Sequence, residues 1–236
     1  MRAALLSCAL ALPAAAQGPC ATDAMIVFDG SASMAEITLE TGPNTRIAEA
    51  RQAMAQAMPL VEEVRRIGLL TYGPGPEGSC EGIRLRFPPI DMAADPVIEA
   101  LDMLDPNGLT PLSAAVEEAA EVMAYRTQPA IVVLVTDGNE TCGGTPCATS
   151  RRMAEAAADL TIHVIGFRAA RDFFLWDNPE QQEFGRDTVA KCFADRTGGL
   201  FVSTETVDEL VDALQATLGC LVVGEGPRPR IEFARL

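Results

Sequence analysis

At 236 residues, 48% of them hydrophobic, the chain can bury one good-sized core, and no shift in composition marks a second. The net charge is −15 with the basic residues scattered, which excludes a surface that tracks a phosphate backbone; nucleic acid is not the expected partner.

The N-terminus carries Arg2, an apolar run from Ala3 to Leu12 and Ala14-Ala15-Ala16, the pattern of a secretory leader over residues 1–16. The apolar stretch before Cys8 is too short for a lipoprotein leader, and no other segment is long enough to span a membrane. The expected mature protein is exported, periplasmic or extracellular. Without Cys8, six of the seven cysteines remain, an even number in an oxidising compartment, so three disulfides are expected. A zinc site is the competing reading, but paired C-x-x-C units are lacking.

Ala24 to Phe28 is apolar throughout, as in a strand buried on both faces, and it runs into Asp29-Gly30-Ser31-Ala32-Ser33. Residues 34–44 read as loop. From Ile47 to Met58, apolar residues recur at helical spacing up to Pro59, and the methionines there read as core filler. A strand at Ile67 to Tyr72, a Gly/Pro-dense turn at 73–78 and an alternating strand at Ile83 to Phe87 predict a hairpin at the sheet edge. Asp95-Pro96 predicts an N-cap and first helical position for a helix to Leu104. Thr110-Pro111 predicts the same for a helix to Tyr125.

Ala130 to Thr136 is again a buried-strand pattern, ending in Asp137-Gly138. A helix at 146–159, a strand at 160–167, a helix at 186–197, a strand at 200–203 and a helix at 207–218 follow. Strands alternating with helices predict an α/β, doubly wound, mostly parallel six-stranded sheet flanked by helices. His163 falls mid-strand and reads as structural. Residues 221–236 have little regular pattern and read as a C-terminal tail.

Asp29, Ser31 and Ser33 place three oxygens at alternate positions beyond a strand end, where open α/β sheets bind ligands. Thr110 and Asp137 could complete an oxygen shell for a hard divalent cation. Two carboxylates about 5 Å apart repel by roughly 3 kcal/mol at an effective dielectric of ~20, which a cation relieves.

These residues carry a resemblance: over about residues 22–220 the chain is similar to the von Willebrand factor type A domains, relatives of the integrin I domains. The family's metal-ion-dependent adhesion site falls on Asp29, Ser31, Ser33, Thr110 and Asp137. Ala32 departs from the family's usual Gly. The resemblance implies one domain over residues 20–220, with its antiparallel strand at the sheet edge, and Mg²⁺ (or Mn²⁺ or Ca²⁺) as the cation. It further implies a protein partner that supplies an Asp or Glu to the metal.

The fold implied by the resemblance brings its two ends together, so Cys20 is paired with Cys220. By chain entropy such a closure contributes roughly 5 kcal/mol. Strand order from the resemblance sets Cys80 far from Cys192, which favours Cys80–Cys142 and Cys147–Cys192; a local Cys142–Cys147 bridge stays open. As an enzyme the chain is poorly equipped, since Ser31 and Ser33 lack a G-x-S-x-G elbow and the single His is misplaced. The expectation is a binder rather than an enzyme, with a structural subunit whose metal site is idle as the alternative. Phe173, Phe174 and Trp176, in an aromatic-poor chain, lie in a long segment leaving the same sheet edge. They read either as a lid over the core or as an apolar anchor for the partner.

Overall fold

The computed structural model describes residues 20–37, 42–76, 78–168 and 189–220. The six strands are β1 (Ala24–Asp29), β2 (Ile67–Tyr72), β3 (Arg84–Ile90), β4 (Pro129–Thr136), β5 (Asp159–Phe167) and β6 (Phe201–Thr204). They form one sheet in the order β3-β2-β1-β4-β5-β6. All neighbours are parallel except β2 and β3, so the expected α/β sheet with an antiparallel edge strand is what is found.

Among the described residues six α-helices cover the sheet: α1 (Arg46–Val61), α2 (Ala94–Asp102), α3 (Leu112–Val122), α4 (Pro146–Ala156), α5 (Lys191–Thr197) and α6 (Val207–Leu218). Side chains alternate across a strand, so β1 feeds two cores at once. Ala24, Ile26 and Phe28 pack under α1, α2 and α6, whereas Met25 and Val27 pack with Leu112, Met153 and Phe193 from α3, α4 and α5. Burial on both faces is why the strand reads as an unbroken apolar run.

Three local expectations are corrected. Helix α1 does not stop at Pro59 but continues to Val61; a proline in the last turn forfeits one backbone bond without ending the helix there. Asp95 is not the cap of α2, which begins at Ala94; the Glu62 carboxylate accepts from the Ala94 N–H at 2.7 Å, and Asp95 sits in the first turn. Thr110 does not cap α3, whose N-cap position is Pro111 with no side-chain bond.

The structure joins Cys20 to Cys220, Cys80 to Cys142 and Cys147 to Cys192. Cys142 is therefore not bridged to Cys147. No described helix is long and apolar enough to cross a membrane. The expected leader at 1–16, the tail at 221–236 and the aromatic cluster Phe173, Phe174 and Trp176 lie outside the described residues.

Candidate metal centre

Parallel strands β1 and β4 lie side by side and end together, so Asp29 and Asp137 emerge at the same edge. Asp29 is fully buried and both its oxygens are used. Oδ1 accepts from the Ser31 N–H at 2.8 Å and the Ser31 hydroxyl at 2.6 Å, and Oδ2 accepts from the Thr136 hydroxyl at 2.7 Å. The Ser31 and Ser33 hydroxyls stand 3.1 Å apart, and Ser33 Oγ donates to Asp137 Oδ1 at 2.8 Å. Four of the five expected ligands thus form one continuous chain of oxygens.

Thr110 is buried on a loop beside them. That loop is fastened to the first motif by Ala32 N–H to Gly108 O at 3.2 Å and Asn107 N–H to Gly30 O at 3.0 Å. Its main chain pairs with Thr141, the Thr110 N–H donating to the Thr141 hydroxyl and the Thr141 N–H to the Thr110 carbonyl. Three loops meet here backbone to backbone, which demands glycine. A Cβ on Gly73 (φ 106°) would lie 2.3 Å from the Ser31 nitrogen, and one on Gly108 (φ 70°) would lie 2.1 Å from the Gly73 carbonyl oxygen. The Cys80–Cys142 bridge and a Leu109 N–H to Ser79 O bond tie the same loops together.

Four contributors were missed in the sequence reading. Thr136 accepts from the buried Tyr72 hydroxyl at 3.1 Å while donating to Asp29, so a hydroxyl relay holds that carboxylate from beneath. Burial, with the Asp29 charge adding, raises the Tyr72 pKa well above the usual tyrosine value and keeps it a donor. Glu140 caps α3 in place of Thr110: Oε2 accepts from Ser113 N–H at 2.8 Å, and Oε1 accepts from Cys142 N–H at 2.9 Å.

The fourth is Arg46, the first residue of α1. Its Nη1 lies 3.0 Å from each of Asp137 Oδ2, Glu36 Oε2 and the Ser33 carbonyl. A signal was available, because a basic residue at the positive end of a helix dipole is unfavourable unless something else employs it.

Burial pushes the Asp137 carboxyl up to about 7, with the Asp29 charge adding and the Ser33 and Arg46 contacts opposing. Two carboxylates this dry and this close are costly as a bare pair, and the neutral hydroxyls between them are the oxygens a hard cation takes. The donor set fits a divalent ion on those grounds. Among the described residues no three His, Cys, Asp or Glu side chains gather in a metal-binding group, here or elsewhere; this site offers two carboxylates and hydroxyls instead.

The model of the von Willebrand factor type A domain family matches residues 24–140, which hold β1 to β4 and all five candidate ligands. The fold is that of a von Willebrand factor type A domain. YwmD, an uncharacterized protein of Bacillus subtilis (strain 168), is 26% identical over 219 residues, covering 89% of this chain and 91% of its own. The type A fold recurs in the pilus adhesin SpaC of Lactobacillus rhamnosus GG, with a TM-score of 0.63 at 14% identity, over 86% of this chain and 30% of the adhesin. Proximal thread matrix protein 1 of the mussel byssus, solved with zinc in its metal-ion-dependent adhesion site, gives a TM-score of 0.55 at 17% identity, over 84% of this chain and 46% of its own.

Proposed function

We propose that this type A domain is an exported protein-binding module, serving adhesion or assembly, whose affinity for its partner depends on a divalent cation, Mg²⁺ first, with Mn²⁺ or Ca²⁺ as substitutes. The observation that carries the reading is the oxygen chain Asp29–Ser31–Ser33–Asp137 at the C-terminal edge of the sheet. A cation held by these residues with Thr110 would supply a positive centre for a carboxylate from a partner's Asp or Glu. The chain's own residues do the rest: Thr136 and Tyr72 orient Asp29, and Arg46 orients Asp137. The glycine-tight loops present the edge as a rigid surface. Neighbours that are a pilus adhesin and a byssus matrix protein support a binding role.

Binding rather than catalysis is also supported by the placement of His163, whose Nδ1 accepts from the Leu200 N–H at 2.9 Å between β5 and β6, remote in the sheet from the β1 end. Calorimetry on metal-stripped protein should detect one Mg²⁺ or Mn²⁺ site that Asp29→Ala and Asp137→Ala each weaken about a hundredfold, as expected when one charged ligand is lost. Equal affinity in the wild type and both variants would sink the assignment.

A further inference from the structure

The metal-site reading takes an acidic cluster and a cation as its elements, yet the structure has already put a cation there. Arg46 is 5% exposed, its Nη1 touches a carboxylate whose own side chain is inaccessible, and its buried Nε has no hydrogen-bond partner among the described residues. A buried guanidinium needs acceptors, and the charged acceptor of Arg46 that is itself buried is Asp137. The second carboxylate contact of Arg46, Glu36, has a side chain 62% exposed, so water screens that charge. Of the two carboxylates expected to hold the cation, then, Arg46 offsets one; the third buried carboxylate of the site, Glu140, has its two oxygens engaged by the Ser113 and Cys142 N–H groups.

Resting on the reading above, we infer that Arg46 is the specificity-determining residue of this site: it weakens the hold on the divalent cation and makes the loaded site demand an anionic ligand. Asp29 and Asp137 alone would neutralise a divalent ion. With Arg46 included, the cation, its two ligand carboxylates and the guanidinium carry one net positive charge, which an incoming carboxylate would cancel. Arg46 already holds Asp137, so a cation taken up by that carboxylate would face the guanidinium at close range and be repelled by it. A site without this arginine binds metal more tightly and has less use for a carboxylate; Arg46 shifts affinity from the ion to the partner.

Three proteins test this: wild type, Arg46→Met, which keeps the length without the charge, and Arg46→Lys, which keeps the charge without the fork. Mn²⁺ is titrated by calorimetry, and acetate is then titrated into each loaded protein while water-proton relaxation reports displacement of water from the bound Mn²⁺. Charge control predicts that Arg46→Met binds Mn²⁺ at least about tenfold more tightly and acetate several-fold more weakly, with Arg46→Lys near wild type in both. Unchanged or weaker Mn²⁺ binding in Arg46→Met overturns the inference, because Arg46 then does no more than order Asp137. Should Arg46→Met be unfolded without metal, the Mn²⁺ midpoint of its refolding gives the same comparison. Absence of any Mn²⁺ binding by the wild type strikes the metal-site reading itself, a result distinct from a wild type that binds and a variant that does not bind better.

Discussion

Arg46 and Arg65 are both buried, and both leave Nε without a hydrogen-bond partner among the described residues, but they stand at opposite edges of the sheet and do different work. Arg46 spends its charge on a carboxylate at the C-terminal edge. At the other edge Arg65 donates to two backbone carbonyls, Thr22 at 3.2 Å and Gly219 at 3.0 Å, on the segments that precede β1 and follow α6. The Cys20–Cys220 bridge joins those same segments. One buried arginine tunes an electrostatic site, and the other is a clasp. Burial of a charged residue therefore does not announce function; the chemical class of its acceptors does.

The largest effect expected at the clasp edge comes from its disulfide. Replacing Cys20 and Cys220 together by Ser opens a closure with a sequence separation of 200 residues. Stability to urea should fall by about 5 kcal/mol on the chain-entropy estimate, with Mn²⁺ affinity of the folded fraction unchanged. A loss of metal affinity in the folded protein would show that the two edges are coupled.

Next is Arg65→Met. Loss of two charge-assisted bonds to carbonyls should cost about 2 kcal/mol by denaturant titration and leave Mn²⁺ binding at the wild-type value. Set beside Arg46→Met, whose signature is in metal affinity, it makes the contrast between the arginines quantitative. Equal effects of both substitutions on metal binding would erase the distinction.

An effect no larger than that is a pH dependence on the clasp side. The His163 pKa is lowered from 6.5 to about 4 by burial first and by the Arg65 charge second. Only the neutral ring can accept the Leu200 N–H at Nδ1. Because the folded pKa lies below the unfolded one, the unfolded chain binds the extra proton. The stabilisation is complete above pH 6.5, is lost as pH falls towards 4, and changes no further below that. After allowance for partial exposure the loss is about 2 kcal/mol, and His163→Gln should flatten the difference between pH 7 and pH 4. An unaltered profile in that variant would assign the dependence to other groups.

The difference between the edges also explains what could be read in advance. Asp29 and Asp137 were legible because each ends a run of apolar residues, and parallel strands of known order bring such ends together. Ser31 and Ser33 followed from local spacing. Thr110 was located as a candidate ligand, but the cap role read beside it is not made, since a Thr-Pro pair looks the same whether or not a distant carboxylate, here Glu140, reaches the helix first. Arg46 was passed over because helical periodicity begins at Ile47, and a charged residue at a helix end ordinarily faces water. Its burial comes from the tertiary seating of α1 against the Ser33 turn, which no local pattern encodes. Tyr72 needed only the register that sets it opposite Asp29, a matter of pairing rather than composition.

The three disulfides are nested: Cys20–Cys220 encloses Cys80–Cys142 and Cys147–Cys192, which follow one another along the chain. Among these six cysteines, pairing in order of appearance would join Cys20 to Cys80, Cys142 to Cys147 and Cys192 to Cys220, and each of those bonds is wrong. Cys20 must wait for α6, which precedes Cys220, to be synthesised and docked. Correct pairing is then a product of folding rather than its guide, and maturation requires either that oxidation lag behind collapse or that an isomerase undo the early bonds.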